Sequence, residues 1–247
     1  MRTLVYAANW KMHLPPGDAR AFAATFLART RPEEGRSYWF FPSAVSIEAT
    51  STALKGRPDI SVGAQDVHWE PRGAFTGATS IQLAKGAGAT GALVGHSERR
   101  HVFGETDAET RRKVRALLEA GLTPMLCVGE KLEERVAHET EAVVTRQLTE
   151  GLHNLSPADL ARVLIAYEPV WAIGTGKNAT PEDAAEVHRS IRGVLAKLGL
   201  AGRATVLYGG SVNKGNVQAL LAQDEIDGVL VGGASLDPEG WSELVQL

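Results

Sequence analysis

Three side chains that can carry acid–base or charge chemistry stand directly behind short apolar runs of the sequence. Lys11, His96 and Glu168 each follow such a run within three residues. A carboxylate at the end of a wholly apolar strand is costly to bury without a compensating role, so Glu168 is a candidate functional residue. A neutral imidazole can donate to a developing oxyanion and exchange a proton with it, whereas a lysine supplies fixed positive charge. Taken singly, a solvated surface lysine and a structural histidine are the ordinary alternatives.

Two pairs of glycines, Gly209-Gly210 and Gly232-Gly233, follow the last two apolar runs. Such pairs can be simple turns, but behind neighbouring parallel strands they expose backbone N–H groups where a phosphate would sit. Two patterns similar to nucleotide-binding loops are misplaced. The GxGxxG of residues 86–91 leads into a strand instead of following one, and the GxGxxA of residues 174–179 begins too far behind its strand. The sequence therefore favours a phosphate site that is not a nucleotide site.

The elements that position these residues are eight apolar runs, each followed by an amphipathic stretch. The runs are continuous instead of alternating, which is typical of parallel strands covered on both faces. Thr180 and Pro181 are suited to begin a helix, and Gly199 is suited to end it. The predicted strands cover residues 4–8, 38–41, 60–64, 92–94, 123–128, 163–167, 204–208 and 228–231.

Eight β-then-α units of roughly 30 residues fill residues 1–247 without a linker. This arrangement predicts a single α/β domain. An open doubly wound sheet and a closed (β/α)8 barrel both fit eight parallel strands, and the even repetition favours the barrel. In either case the residues behind the strands meet at one end of the sheet.

Net charge and cysteine content exclude several functional classes. The chain has 26 Lys and Arg against 29 Asp and Glu, a formal charge of −3, so no general attraction to nucleic acid or to an anionic membrane is expected. Cys127 is the only cysteine, which excludes an intrachain disulfide and a thiolate zinc site and favours a reducing compartment. The apolar run at the N-terminus is too short for a signal peptide or a membrane span. We therefore expect a cytoplasmic protein.

Taken together, the motifs at five strand ends resemble those of the triosephosphate isomerase family, in the family's order and over the whole chain. The resemblance implies a closed TIM barrel that interconverts dihydroxyacetone phosphate and glyceraldehyde 3-phosphate with no cofactor and no metal. The matching segments are NWKM at residues 9–12, VGHSERR at 94–100, AYEPVWAIGTGK at 166–177, YGGSV at 208–212 and VGGASL at 231–236.

The resemblance also implies a role for each candidate residue. Glu168 is the base that moves a proton between two substrate carbons, and His96 polarises the carbonyl beside Asn9 and Lys11. Lys11 is also the nearest full positive charge to the substrate phosphate. The backbone N–H groups expected to bind that phosphate belong to Gly174, Ser211, Gly232 and Gly233.

Glu98 and Ser97 are expected behind these groups. Glu98 either accepts a hydrogen bond from Lys11 or Ser97 and orients them, or it pairs with a neighbouring arginine. The orienting role is the favoured reading.

Residues 169–177 resemble the family's lid. Ile173 is expected to cover Glu168 from above, with Leu230 below, and to exclude water from an enediolate that would otherwise eliminate phosphate. Asn178, where family members often carry Thr or Val, departs from the pattern. The predicted lid consists of Pro169, Val170, Trp171, Ala172, Ile173, Gly174, Thr175, Gly176 and Lys177.

The loop of residues 65–79 is long for a strand-to-helix connection and carries Trp69 and Phe75. It resembles the loop that the family inserts into a partner subunit, which implies a homodimer with Phe75 and Thr76 at the interface. Thr76 would brace the partner's Asn9 and the partner's His96. Ala78 replaces a glutamate common in the family, so an ion pair from this position to the partner's Arg99 is not expected.

Two other functions remain compatible with the residues. A Schiff-base aldolase would use Lys11 as a nucleophile. A phosphometabolite-binding protein without activity would have no need of Glu168.

Overall fold

The computed structural model describes residues 2–172 and 179–247, and in it eight parallel strands close into a barrel in chain order. The closing seam pairs the first strand with the last, from Val5 opposite Gly228 to Ala8 opposite Val231. Closure confirms the barrel and excludes the open doubly wound sheet. The strands are β1 (Leu4–Asn9), β2 (Arg36–Phe41), β3 (Ile60–Ala64), β4 (Gly91–Val94), β5 (Thr123–Val128), β6 (Leu164–Tyr167), β7 (Val206–Tyr208) and β8 (Gly228–Val231).

Helices lie between the strands along the chain, and the ends of the longest agree with its sequence signals. Thr180 and Asp183 form a capping box at its start, Pro181 is its first residue, and Gly199 behind it has a φ of 99°. The helices are α1 (Pro16–Arg29), α2 (Ile47–Ala53), α3 (Ile81–Gly86), α4 (Ser97–His101), α5 (Asp107–Glu119), α6 (Leu132–Val136), α7 (Thr140–Gly151), α8 (Pro157–Leu160), α9 (Pro181–Lys197), α10 (Val217–Leu221) and α11 (Pro238–Leu244). None of the helices in the described part of the chain is long and apolar enough to cross a bilayer.

The seventh strand is shorter than the sequence predicts, because side chains bind the backbone at its start. Arg192 donates to the carbonyl oxygen of Ala204, and the amide of Val206 donates to the Asp227 carboxylate at 2.9 Å. These groups are therefore satisfied by side chains, and β7 begins at Val206 instead of Ala204.

The core has two layers, because successive strand residues point to opposite faces. Tyr6 and Ala8 belong to the layer that the helices cover, whereas Val5 and Ala7 belong to the layer that fills the barrel. Phe41 occupies so much of the interior that a Cβ on Gly63 would lie 2.4 Å from its ring. The barrel interior is thus a packed core, and the active sites of such barrels lie at the mouth formed by the carboxyl ends of the strands.

Candidate active site

A cavity of about 340 Å³ opens at the carboxyl-terminal mouth of the barrel. It contains four of the side chains selected from the sequence, supplied by β1, by the residues behind β4 and by those behind β6. Its lining residues are Asn9, Lys11, His96, Glu168, Gly209, Gly210, Ser211, Val212, Asn213, Leu230, Val231, Gly232, Gly233 and Ala234.

His96 and Glu168 contact each other at the floor of this cavity. His96 Nε2 lies 2.9 Å from Glu168 Oε1, and both side chains are almost completely buried. Glu168 Oε2 accepts a hydrogen bond of 2.8 Å from the amide of Ser97, at the start of α4. Glu168 thus contacts both His96 and Ser97, although 71 residues separate Ser97 from Glu168 along the chain.

The hydrogen bonds around His96 define which ring nitrogen carries the proton of the neutral imidazole. The amide of Glu98 donates to His96 Nδ1 at 3.2 Å, so Nδ1 is the acceptor. The proton of the neutral ring then sits on Nε2, which faces Glu168 Oε1. The Asn9 side-chain nitrogen lies 3.2 Å from the same Nε2, and in this tautomer both atoms are donors, so their contact is not a hydrogen bond. His96 is thus oriented to donate into the cavity.

The contact between the two groups shifts both pKa values. Burial alone would raise the pKa of Glu168, but His96, the Ser97 amide and Lys11 together lower it below its usual range. Burial alone would lower the pKa of His96, but the adjacent carboxylate of Glu168 outweighs it and raises that pKa. Glu168 is accordingly an ionised carboxylate that is ready to accept a proton.

Lys11 holds its ammonium group at the edge of the cavity. Its backbone is left-handed, with a φ of 49°, and its amide donates to Asn9 Oδ1 at 3.0 Å. Its Nζ lies 2.6 Å from Glu98 Oε1, in a pair whose carboxylate side chain is 47% exposed. Glu98 therefore contacts Lys11 and, through its backbone, His96.

The glycines behind the last two strands leave room for the catalytic side chains. A Cβ on Gly209 would lie 2.8 Å from Glu168 Cγ, and one on Gly232 would lie 3.1 Å from Lys11 Cε. A Cβ on Gly233 would meet nothing within 4 Å, so its backbone faces open space. Backbone amides at this corner of a barrel form a common phosphate site.

The predicted lid is described only in part. Val170–Ala172 form a 3₁₀ turn directly behind Pro169, and Trp171 Nε1 donates to the buried Glu130 at 2.9 Å. The remaining lid residues of the prediction, Ile173, Gly174, Thr175, Gly176 and Lys177, lie outside the described residues, as does Asn178.

None of the residues of the loop 65–79 lines the cavity of its own subunit. His68 is stacked on Trp69 with ring centroids 4.3 Å apart, and it also contacts Phe75 at 4.2 Å. Phe75 is nevertheless 45% exposed, and Thr76 beside it is exposed. The two aromatics thus pack within the loop and still present apolar surface to the outside.

Sequence reasoning gave no role to four lining residues, Val212, Asn213, Val231 and Ala234. Each stands within three residues of a site residue that was selected, so proximity to the glycine pairs was the available signal. Within the described ranges, no group of three or more His, Cys, Asp and Glu side chains is arranged to hold a metal ion.

The family model described as "Triosephosphate isomerase" matches residues 4–247 of the chain. Curated proteins of that name are similar over nearly the full length of both chains. The protein of Solibacter usitatus is 45% identical over 99% of this chain and 99% of its own. That of Symbiobacterium thermophilum is 46% identical over 99% and 96%, and that of Aquifex aeolicus is 44% identical over 99% and 99%.

Proposed function

The chain belongs to the triosephosphate isomerase family, and on this premise we propose how its mouth residues interconvert dihydroxyacetone phosphate and D-glyceraldehyde 3-phosphate. The observation that carries the proposal is the contact between Glu168 and His96 inside the cavity, 2.9 Å long. An ionised base and a polarised hydrogen-bond donor then face the same small volume. This is the pair of groups that an enediolate intermediate requires.

Glu168 removes the proton. Its carboxylate takes a proton from C1 of dihydroxyacetone phosphate, the C–H electrons form the C1–C2 double bond, and the carbonyl electrons move onto O2. The protonated carboxyl then returns the proton to C2. Because both carbons lie next to each other in the substrate, one carboxylate reaches both without leaving the cavity.

His96 stabilises the oxygens. Its Nε2–H donates to O2 as negative charge develops there and transfers its proton to that oxygen. The ring then takes the proton of O1 when the aldehyde forms, so the histidine ends the cycle neutral. The substrate must first enter between Nε2 and Oε1, which breaks their contact. Removal of the carboxylate from Nε2 takes away the group that raises the pKa of His96, and this favours the neutral imidazole, which can exchange a proton with the enediolate.

Fixed groups hold the phosphate. Lys11 supplies the ammonium charge, and its side chain runs beside Gly232 at the rim of the cavity. Backbone N–H groups of Ser211, Gly232 and Gly233 complete the site, together with Gly174 from the lid. Glu98 acts behind them by orienting Lys11, with Ser97 holding the resting position of Glu168.

Residues 169–177 act as the lid over this site. Exclusion of water prevents loss of phosphate from the enediolate. Deletion of residues 173–176 should leave the barrel folded, lower the isomerase rate sharply and increase release of inorganic phosphate. Clean isomerisation at the wild-type rate would reduce the segment to a surface loop.

The chain acts as a homodimer through residues 65–79. Phe75 is 45% exposed beside a groove of about 380 Å³ in this loop. Full burial of an exposed side chain of this size contributes about 1.5 to 3 kcal/mol, so burial of the exposed part of Phe75 contributes about 1 kcal/mol. Thr76→Arg should dissociate the dimer and abolish activity, although Thr76 contacts no substrate in its own subunit. Sedimentation of the wild type as an active monomer at micromolar concentration would contradict this assembly.

The reaction is a step of glycolysis, and in reverse it serves gluconeogenesis. A cytoplasmic location agrees with that role and with the single buried cysteine, Cys127.

Formation of aldehyde from dihydroxyacetone phosphate, followed with a coupled dehydrogenase, tests the proposed function. Isomerase turnover is the expected result, and binding of substrate without turnover would identify a phosphometabolite binder instead. Borohydride in the presence of substrate should leave no adduct on Lys11, whereas a trapped adduct would indicate a Schiff-base aldolase.

A further inference from the structure

The loop between β1 and α1 contains two non-glycine residues in the left-handed region of the backbone. Lys11 has a φ of 49° and Leu14 a φ of 59°. Residues with a Cβ adopt this conformation at a cost in free energy, and they persist there only when their surroundings impose it. The groups that hold the backbone of Lys11 itself are therefore part of what places its ammonium group.

Side chains from neighbouring loops bind the carbonyl oxygens of both residues. Gln65 Nε2 donates to the carbonyl of Lys11 at 2.7 Å, and Ser46 Oγ donates to the carbonyl of Leu14 at 2.8 Å. Gln65 Nε2 also donates to the carbonyl of Phe41 at 2.8 Å. Both hydrogens of one neutral amide thus connect the ends of three neighbouring strands.

Gln65 is the member of this pair that reaches the active site. The amide of Lys11 is already bound by Asn9 Oδ1 at 3.0 Å, so Gln65 fixes the remaining polar group of the same residue. With its N–H and C=O both bound, Lys11 has a defined backbone orientation, and its side chain extends past Gly232. The chemistry also suits a primary amide, because a carboxylate at position 65 would face two carbonyl oxygens and could donate to neither.

We propose that Gln65 is a positioning residue for the isomerase reaction: its side-chain amide holds Lys11 in the left-handed conformation that directs the ammonium group to the substrate phosphate. This inference rests on the proposed function of Lys11. It is distinct from an interface role for the loop that begins at Gln65, because the hydrogen bond to Lys11 lies within one subunit.

The variants Gln65→Glu and Gln65→Met test the proposal. Both remove the donors, the first with nearly unchanged shape and the second without a charge, so a folded variant is available even if one of them fails. A displacement of the reacting groups by about 1 Å costs on the order of 100-fold, so we expect kcat/KM to fall by about 10- to 100-fold. Inorganic phosphate, used as a competitive inhibitor, should bind about 10-fold more weakly.

Ser46→Ala is the matched control. It removes the corresponding hydrogen bond at Leu14, lowers the melting temperature to a similar extent and should leave kcat, KM and the inhibition constant of phosphate within about twofold of the wild type. Sedimentation at the assay concentration must give the same species for all variants, so that a loss of activity cannot come from dissociation.

The outcomes separate this proposal from the proposed function. Equal kinetic losses in the Gln65 and Ser46 variants, or wild-type phosphate inhibition in Gln65→Met, would overturn the positioning role. A wild-type protein without isomerase activity would contradict the proposed function instead. In that case unchanged phosphate affinity in Gln65→Met would overturn the positioning role as well, and weakened affinity would support it.

Discussion

At the amino-terminal end of the barrel, the Asp227 carboxylate accepts hydrogen bonds from Arg192 at 2.6 Å, from Arg203 at 2.9 Å and from the amide of Val206 at 2.9 Å. At the carboxyl-terminal end, the ammonium group of Lys11 has Glu98 as its one anionic partner within 4 Å among the described residues. Both groups are therefore paired, but three donors surround the Asp227 carboxylate, whereas the Lys11 ammonium has a single carboxylate beside it.

This difference separates stability from activity. The charges around Asp227 are neutralised where they stand, and their removal would leave buried groups without partners. At the mouth, the ammonium group of Lys11 and the backbone N–H groups of the glycines line the cavity, where a ligand can reach them. The contact between Glu168 and His96 must break before a substrate can enter. We expect substitutions at the two ends to have opposite signatures, loss of stability at one and loss of rate at the other.

Asp227→Ala should have the largest effect of the changes considered. It leaves the buried amide of Val206 without its acceptor and Arg192 with the carboxylate of Glu225 alone, and loss of one partner of such a buried pair costs about 3 to 5 kcal/mol. Urea unfolding followed by circular dichroism measures the loss, while kcat of the folded fraction should stay near the wild-type value. Asp224→Ala, at an exposed acid of the same loop, is the control and should change the free energy of unfolding little. A large fall in kcat with an unchanged free energy of unfolding would show that Asp227, at the amino-terminal end of the barrel, serves activity instead of stability.

Glu168→Asp is the corresponding change at the mouth. The carboxylate is withdrawn by one methylene, about 1 Å, and we expect kcat to fall on the order of 100-fold with a much smaller change in KM. The melting temperature should stay close to that of the wild type, since the charge is kept. Steady-state kinetics in both directions measure the effect, with Glu186→Asp on the exposed face of α9 as the control. Near wild-type turnover would remove Glu168 from the role of base.

Acid should affect the two ends differently because of His188. This residue is fully buried, and its Nδ1 lies 3.1 Å from the carbonyl oxygen of Glu225. Burial lowers the pKa of His188 from 6.5 to about 3, so the native state stays neutral while the unfolded state binds a proton.

The free energy of unfolding should consequently fall as the pH decreases from 6.5 towards 3, by up to about 1.4 kcal/mol per pH unit. His188→Gln should remove this part of the slope, and unfolding curves of both proteins at several pH values between 4 and 7 measure the difference. Over the upper part of this range Glu168 should remain ionised in the free enzyme, since its pKa is lowered. If the free energy of unfolding of His188→Gln changes with pH as steeply as that of the wild type, His188 is not the source of this pH dependence.

Arg203→Ala should have the smallest effect. Its side chain is about half exposed, and a solvent-exposed partner contributes about 0 to 1 kcal/mol to stability. Arg192→Ala should cost clearly more, because Arg192 is mostly buried and also contacts Glu225. If Arg203→Ala and Arg192→Ala lower the free energy of urea unfolding equally, the solvent exposure of each arginine does not determine how much it contributes to stability.

Much of the architecture was predictable from the sequence, because strand-forming apolar runs and helix caps are local signals. The strand bounds agree within one or two residues for most strands, and the start of α9 follows from Thr180 and Pro181. The start of β7 was wrong by two residues, since Arg192 and Asp227 reach it from distant parts of the chain and leave no local trace.

The candidate site divides in the same way. Glu168, His96 and Lys11 were selected because each follows a predicted strand, and the structure brings all three to one cavity. The direct contact between His96 and Glu168 was not foreseen, and neither was the left-handed backbone of Lys11. Both depend on the relative rotation of strands around the barrel, which the residue order does not specify.

The seam between β1 and β8 has a consequence for protein synthesis. The first strand ends at Asn9 and its last partner begins at Gly228, so the ring cannot close until the ribosome has added about 220 further residues. At roughly 5 to 20 residues per second this takes on the order of 10 to 45 s. Throughout that time one edge of β1 presents unpaired N–H and C=O groups, and the nascent chain is exposed to wrong pairing with other chains.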